Sequence, residues 1–448
     1  MEKFFKLNEH NTDIKKEILA GITTFLTMAY IIAVNPSILS ATGMDAGALV
    51  TVTCLVAGLS TILMGVYANL PFALASGMGL NAFFAYTVVL SMGEPWQVAL
   101  AAVFVEGIIF IILSVTNVRE AVVNSIPMNL KYAVTAGIGL FIAFLGFVGA
   151  GVVVNNDATL VSMGNLTAPT AIITFIGVII ITILYKKNVK GAILWGIVVS
   201  SLLAWGYALI APEAAAYYNI SAPTGIFKFE SMAPIAGKLD FSYLADSTKV
   251  WSFVTVVFTF LFVDFFDTVG TLVGVASKAN MLDKDGKLPG AGKALLVDAI
   301  ATTAGAVAGV STVTTYVESS AGVAQGGRTG LTAVTAGILF LLSMFFSPLF
   351  VAIPSCATAP ALIVVGFFMI ENISKVDFGD FTEGIPAFLT IALMPLTYSI
   401  GDGLTIGVIA YVAINLLVNL FSKEKKKISP VMIALGIVFV VKLIMTGI

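Results

Sequence analysis

Apolar stretches of about twenty residues, separated by short polar connections, recur along the whole chain. A membrane-spanning helix needs about 20 predominantly apolar residues. We therefore predict fourteen spans, seven before and seven after a polar stretch that covers 212–249. The predicted spans are 18–36, 47–67, 71–91, 96–116, 131–150, 168–185, 191–211, 250–276, 292–309, 312–326, 329–350, 356–371, 384–400 and 402–421. A last apolar run, 430–448, is predicted as an extra helix that either spans the membrane or lies at its interface.

The composition supports an all-α polytopic membrane protein. Of 448 residues, 58% are hydrophobic and 11% are charged, whereas soluble domains carry about 25% charged residues. The net charge of −2 gives no basic excess for nucleic acid. One histidine, His10, and two cysteines, Cys54 and Cys356, are too few for a Cys/His zinc site or a disulfide framework. We expect neither a metal nor an organic cofactor.

The Lys and Arg residues predict the orientation in the cell membrane. With the N-terminus cytoplasmic, the inner connections hold nineteen of the 23 basic residues, and the outer side holds only Lys228, Lys238 and Lys249. Such a bias follows the positive-inside rule. Because each half has an odd number of spans, the halves are predicted to be inverted repeats. A faint trace of the repeat is Thr-Phe-Leu at 24–26 and again at 259–261.

The third and tenth spans are interrupted in corresponding positions. Residues 70–81 and 311–320 are rich in small and β-branched side chains, which predicts short extended stretches that lead into half-helices. Matching interrupted segments in two halves indicate a transporter's binding site. The alternative is a pair of ordinary helices with close-packing glycines.

Ionisable side chains within spans are costly and need an explanation; they are Glu106, Asp264, Asp267, Asp298, Glu318 and Lys442. Lys442 is expected to extend to the interface. Glu106 and Asp298 are expected to be internal hydrogen-bond anchors rather than ligand contacts.

Asp264 and Asp267 are three residues apart on the eighth span. Thr268 follows Asp264 by four residues, and Thr271 follows Asp267 by four. All four lie on one helical stripe, which should face the protein interior or a water-filled cavity. A packed polar seam is the alternative. Two adjacent carboxyl groups in a low-dielectric setting can hold a shared proton and release it on hydration, which suits coupling.

Glu318 is predicted where the extended stretch of the tenth span meets its half-helix. Free N–H groups at a helix start favour a carboxylate there, and the same carboxylate can accept two hydrogen bonds from a planar ligand. A simple helix cap is the alternative.

Four spans resemble the adenine/guanine/hypoxanthine permeases, a branch of the nucleobase–ascorbate transporter superfamily. These are AGITTFLTMAYIIAVNPSIL, LPFALASGMGLNAFFAY, FVDFFDTVGTLVG and STVTTYVESSAGVAQGGRTGLTAV. The most specific motifs are GMGLNAFFAY and TTYVESSAGVAQGGRTG, and the likeness covers essentially the whole chain.

The resemblance implies a moving core domain made of 18–116 and 250–350, and a gate domain made of 131–211 and 356–421. It also implies purine-base uptake by proton symport with alternating access, and a homodimer. Sodium is the alternative coupling ion.

The resemblance also implies residue roles. Asp267 and Glu318 match substrate glutamates of uracil and xanthine relatives, Thr271 stands where some have histidine, and Val317 stands where the uracil carrier has glycine. In the closer branch, Gly79, Asn81, Asp264 and Glu318 match substrate-recognition positions. The candidate substrate-binding set is Glu318, Asp264, Asp267, Asn81, Gly79, Ser319, Val317, Thr271, Phe72 and Thr27; the proton-coupling candidates are Asp267, Asp264 and Glu318.

Carboxylates, the Asn81 amide and the aromatic rings of Phe72, Phe83 and Phe84 suit a flat neutral heterocycle such as a purine. No Arg lies at membrane depth, which disfavours anion exchange on the same fold. A transporter of another small planar solute or anion, or a channel, is the competing hypothesis. An intramembrane enzyme is disfavoured because His10 lies outside the spans and two aspartates on one helix make a poor catalytic dyad.

Overall fold

The computed structural model describes residues 2–116, 126–278, 281, 288, 290–421 and 425–446. Side chains are described throughout these ranges except at 3, 442, 445–446 and, between 265 and 280, at every position but 268. The side chains of Asp267, Thr271 and Lys442 therefore lie outside the described residues. In the described part, nine helices are long and apolar enough to cross a membrane, and five shorter apolar helices accompany them.

The first half contains ten α-helices and three strands in the described ranges. They are α1 (Glu2–Phe5), α2 (Ile14–Met28), α3 (Ile31–Leu39), α4 (Ala46–Leu63), β1 (Leu74–Ser76), α5 (Met78–Ala82), α6 (Trp96–Val115), α7 (Met128–Gly149), β2 (Val153–Asn156), β3 (Leu160–Met163), α8 (Pro169–Lys186), α9 (Ala192–Ile210) and α10 (Pro212–Tyr217). Wider π-helical turns continue α4 over Met64–Ala68 and α5 over Phe83–Ser91, and 3₁₀ turns occupy Ser40–Thr42 and Ser242–Ala245.

The second half again has a strand followed by a short helix in its third segment. Its elements are α11 (Val250–Lys278), α12 (Ala291–Ala308), β4 (Val313–Thr315), α13 (Ser319–Ala324), α14 (Gly330–Ser343), α15 (Ser347–Val351), α16 (Ser355–Ile370), α17 (Phe381–Leu396), α18 (Ile400–Phe421) and α19 (Pro430–Thr446), with a 3₁₀ turn over Glu371–Lys375.

The predicted span boundaries agree with these helices to within a few residues, but two of the spans contain breaks that the sequence did not indicate. The span expected over 18–36 changes from α2 to α3 at Ala29 and Tyr30. The span expected over 329–350 ends at Ser343 and resumes as the short helix α15. Pro348 at the start of α15 has no N–H and restricts the residue before it, so one continuous helix is disfavoured here. The hairpin of β2 and β3 was also not predicted.

The two predicted extended stretches are present and pair with each other. Strand β1 runs antiparallel to β4, with Leu74 opposite Thr315 and Ser76 opposite Val313. All six strand residues are buried. Extended backbone at membrane depth is tolerated only where protein surrounds it. Here Thr61 accepts a hydrogen bond from the N–H of Leu74 at 2.9 Å, and Thr302 serves Val313 in the same way.

The long helices pack into two sets. One surrounds the strand pair, with α6 against α12 and α14 against both α4 and α2. In the other, α7 packs against α16 and α17, α17 against α18, and α8 and α9 against α16. The sets meet where α5 and α11 contact α7 and where α9 contacts α2. The strand pair therefore lies in one set, close to its boundary with the other.

A buried carboxylate that the sequence did not single out ties α2 to α14. Glu17 is fully buried and accepts hydrogen bonds from the N–H groups of Arg328 and Thr332 at 2.9 and 3.2 Å, and from the Thr332 hydroxyl at 2.6 Å. Backbone N–H groups at a helix start have no partner within the helix. Glu17 supplies that partner from a distant part of the chain.

We expect Glu17→Gln to lower the free energy of unfolding by about 1–3 kcal/mol. The substitution replaces one acceptor oxygen with an NH₂ group, and this donor then faces N–H donors. Thermal unfolding of the purified protein in detergent measures the loss. Glu9→Gln is the matched control, since Glu9 forms only an exposed ion pair with Lys6 and such pairs contribute little. Equal melting temperatures for both variants would refute the role of Glu17.

The final helix α19 packs against α18 and α11. Its Phe439 is almost fully buried and lies edge-on to Phe258 and Phe262, with ring centroids 5.6 and 5.7 Å away. In the segment before α19, Lys426 forms ion pairs with Asp380 at 3.0 Å and Glu383 at 2.6 Å. These contacts hold the extra helix against the bundle.

Candidate functional site

The candidate site is built on the strand pair, because each strand leads into a short helix. Strand β1 passes through Gly77 into α5, and β4 passes through Tyr316 into α13. The N–H of Gly77 donates to Thr312 at 3.0 Å, and the N–H of Tyr316 donates to Ala73 at 3.0 Å. The two helix starts therefore lie at opposite ends of a pair about 10 Å long, at roughly 3.3 Å per residue.

Asn81 lies on the first turn of α5 and is fully buried. Its Oδ1 accepts hydrogen bonds from the hydroxyls of Ser76, at 2.6 Å, and Ser311. Its Nδ2 has no hydrogen-bond partner among the described residues. The predicted amide thus keeps a free donor inside the protein.

Gly79 lies two residues before Asn81, at the boundary between the two helix sets. A Cβ atom at Gly79 would come within 2.8 Å of Ile138 Cγ2 on α7 and 4.0 Å of Ile400 Cδ1 on α18. Any larger residue would require either the Ile138 side chain or α5 itself to move. The absence of a side chain lets the start of α5 approach the second helix set closely.

Glu318 lies at the other end of the strand pair and is partly exposed. The hydroxyl of Tyr30 donates to its Oε1 at 2.6 Å. Tyr30 is fully buried and stands between α2 and α3, where the first membrane segment changes from one helix to the next. The break in that segment therefore supplies the partner of the carboxylate.

The expectation that free N–H groups of the half-helix hold the Glu318 carboxylate is wrong. Its side chain makes no capping hydrogen bond to α13. The N–H groups of Ser319 and Ser320 donate instead to the carbonyls of Tyr316 and Val317, at 3.1 and 2.9 Å. Because the turn satisfies these donors, the Glu318 carboxylate turns to Tyr30.

Other predicted candidates surround Glu318. Thr27 donates to the Glu318 carbonyl at 3.4 Å, and buried Ser319 accepts a hydrogen bond from the N–H of Ala73 at 3.0 Å. Val317 has 49% of its surface exposed. Phe72, one residue before Ala73, is fully buried. Thr27 and Ser319 thus help to fix the backbone around the carboxylate.

The polar stripe predicted on α11 faces the interior at Asp264 and Thr268, which are both fully buried. The Thr268 hydroxyl lies 3.0 Å from Asp264 Oδ1, 3.1 Å from Asp298 Oδ2 and 3.0 Å from the Thr314 hydroxyl of β4. One hydroxyl hydrogen cannot serve two carboxylates at once. The cluster links α11 and α12 directly to the strand pair.

Glu106 is fully buried and accepts a hydrogen bond from Thr312 at 2.9 Å, just before β4. It and Asp298 are therefore in hydrogen-bond contact with internal partners, as expected from the sequence. The aromatic side chains that follow α5 are also buried. Phe83 and Phe84 pack against Phe260, with ring centroids 4.9 and 6.3 Å away.

Three side chains of this region were missed in the sequence, namely Tyr30, Ser76 and Ser311. Each is a hydroxyl inside an otherwise apolar or small-residue stretch, and a buried hydroxyl in a span usually needs a partner. A hydroxyl in such a stretch therefore indicates a buried hydrogen bond, but the sequence does not identify the partner residue. Among the described residues, no group of three or more His, Cys, Asp or Glu side chains is arranged to hold a metal ion.

Many membrane helices around a pair of broken segments, with an acid and an amide at their junctions, define a membrane transport protein. Residues 15–406 match the model of the Permease family that includes the xanthine and uracil permeases. The chain belongs to this permease family, and it is therefore a multi-pass transport protein and not an enzyme.

Two of the relatives that match over nearly the full length are named as permeases of purine bases. The chain is 44% identical to the guanine/hypoxanthine permease PbuG of Bacillus subtilis, covering 98% of both chains. It is 42% identical to the adenine permease AdeP of Escherichia coli, covering 99% of this chain and 96% of AdeP. It is 47% identical to a putative permease of Methanocaldococcus jannaschii, covering 99% of this chain and 98% of that permease. The resemblance to this branch is confirmed.

Solved structures confirm the fold class. The transmembrane domain of the cyanobacterial bicarbonate transporter BicA superposes with a TM-score of 0.65 at 15% identity, covering 88% of this chain and 97% of that domain. The anion transporter Slc26a9 of mouse gives a TM-score of 0.62 at 12% identity, covering 91% of this chain and 68% of that chain. The predicted inverted repeats of seven segments, with extended stretches in the third and tenth, are this fold.

Proposed function

We propose that this protein imports purine nucleobases, namely adenine, guanine or hypoxanthine, across the cell membrane. The observation that carries the proposal is the juxtaposition of Glu318 and Asn81 at the two ends of one strand pair. A purine has both N–H donors and unprotonated ring nitrogens on its edges, so a carboxylate acceptor and an amide suit it. The names of the relatives support the same ligand class.

We further propose that transport proceeds by alternating access with proton symport. The helix set around the strand pair corresponds to the core domain at 18–116 and 250–350, and the other set to the gate domain at 131–211 and 356–421. Packing within each set supports this division. The carboxylates on α11 are the proposed proton carriers, sodium is the alternative coupling ion, and the homodimer remains a prediction.

Uptake of radiolabelled hypoxanthine tests the substrate class, in cells that lack their own purine carriers. Unlabelled adenine, guanine and hypoxanthine should compete at micromolar concentrations, whereas nucleosides, sulfate and ascorbate should not. The Glu318→Gln variant serves as the site control. Potent inhibition by nucleosides, or uptake inhibited by sulfate but by no purine, would overturn the proposal.

The basic-residue bias predicts that the 212–249 loop is external and the connection after α16 is cytoplasmic. We expect Ser221→Cys to react with a membrane-impermeant thiol reagent in intact cells, and Ser374→Cys to react only after permeabilisation. Both serines are exposed in the structure, and both native cysteines are buried. The background reaction should therefore be low. The reverse labelling pattern would show that the orientation is inverted.

A further inference from the structure

The Asn81 amide is held by two serine hydroxyls that come from the two halves of the chain. Ser76 ends β1 and Ser311 lies two residues before β4. Both donate to Asn81 Oδ1, and their own oxygens are 3.3 Å apart. The two serines are 235 positions apart in the chain, so the contact joins its two halves.

This arrangement determines which end of the amide is available. An amide oxygen has two lone pairs and an amide nitrogen has two hydrogens. The two serines use both lone pairs of Oδ1, while Nδ2 is buried without a partner among the described residues. A buried donor that is left unpaired is unfavourable. A ligand acceptor at this position would satisfy it.

The location of the amide also favours a ligand contact. Asn81 belongs to the first turn of α5, where Gly79 brings the backbone against α7 of the other helix set. The backbone of Ser76 is itself held in place, because the Tyr316 hydroxyl donates a hydrogen bond to the Ser76 carbonyl. The donor Nδ2 is thus held at a boundary between helix sets by groups that belong only to the strand pair and its flanks.

We propose that Ser76 and Ser311 are positioning residues that keep Asn81 Nδ2 directed to the substrate as a hydrogen-bond donor. The substrate then presents an acceptor at that point, namely an unprotonated ring nitrogen, which adenine, guanine and hypoxanthine all carry. The inference rests on the proposed purine transport and adds the identity of one recognised edge. Asn81 contacts the ligand, and the serines act through Asn81.

The experiment compares hypoxanthine with analogues in which one ring nitrogen is replaced by C–H, each as a competitor of labelled hypoxanthine uptake. In the unaltered protein, one analogue should bind roughly 10- to 100-fold more weakly, as expected when a buried donor loses its acceptor. In the Ser76→Ala/Ser311→Ala double variant, hypoxanthine should bind roughly 3- to 10-fold more weakly, and discrimination against that analogue should shrink to about threefold or less. The maximal rate should change much less than KM.

Ser60→Ala is the matched control, because buried Ser60 donates only within its own helix, to Val56 and Ala57. It should leave the analogue discrimination unchanged. If the double variant does not reach the membrane, each single variant makes the same comparison, since either one leaves Oδ1 with a single serine donor.

Three results would overturn the inference. The serine variants could weaken all analogues equally, or leave the discrimination intact. Alternatively, the binding loss could fall on analogues that lack an N–H donor, which would mean that Asn81 presents its oxygen. In these cases purines still compete and the proposed function stands. If no purine competes at all, the proposed function fails as well.

Discussion

Glu318→Gln should weaken purine binding roughly 10- to 100-fold at every pH. The Tyr30 hydroxyl donates to Glu318 Oε1 and uses one of the about four lone pairs of the carboxylate. The remaining lone pairs can accept N–H groups of the ligand. In glutamine an NH₂ group replaces one of the two oxygens, so a donor of the protein faces the N–H donor of the ligand. A mismatched buried pair costs about 1–3 kcal/mol, and 1.4 kcal/mol is tenfold in affinity. Binding of labelled purine to purified protein measures the loss.

Two further variants separate recognition from folding. Glu371→Gln changes the same chemical group at an exposed position after α16 and should bind normally. Tyr30→Phe keeps the carboxylate and its charge but removes one hydrogen bond that orients it. Binding should weaken by roughly 3- to 10-fold, because a hydrogen bond contributes about 0.5–1.5 kcal/mol net. If Glu318→Gln binds normally but no longer accumulates substrate, Glu318 is the proton carrier and not the ligand acceptor.

Asp267→Asn should abolish accumulation against a gradient while retaining exchange of purine across the membrane. The residue follows Asp264 by three in the sequence, a spacing that predicts one face of a helix for both. With one proton per purine, a pH difference of one unit sustains roughly tenfold accumulation, since 1.4 kcal/mol is a factor of ten. The variant should fall to a ratio of about one, and its uptake should lose its pH dependence. Uptake at several external pH values measures both effects.

Asp264→Asn gives an internal comparison. Asp264 shares the Thr268 hydroxyl with Asp298, so its amide variant should disturb the packing of α11 and α12 as well as coupling. Asp246→Asn, on the exposed segment before α11, should transport as the unaltered protein does. If Asp267→Asn still accumulates purine with the same pH dependence, the coupling proton lies elsewhere.

Span length and the positions of the broken segments could be predicted from the sequence, because both depend on local composition. About twenty apolar residues are needed to cross a bilayer, and the β-branched run at 312–315 disfavours a helix. Composition does not indicate the breaks at Tyr30 and Ser343, because both lie within apolar runs. Local rules identify elements better than the points where they end.

The contacts of the site could not be predicted, because they join residues that are far apart in the chain. Three-residue strands with no connecting turn contain no information on their register, yet the pairing of Ser76 with Val313 determines what surrounds Asn81. Tyr30 and Glu318 are 288 positions apart. The expectation that free N–H groups of the half-helix would hold the Glu318 carboxylate was wrong, because those N–H groups donate to carbonyls of the preceding turn.

The most direct test of the account uses purified protein in liposomes. With the outside acidified by one pH unit, labelled hypoxanthine should accumulate transiently to several times its external concentration, and a protonophore should abolish the accumulation. A sodium gradient at equal pH should drive none. The account is contradicted if no purine enters, or if accumulation follows the sodium gradient and ignores the pH gradient.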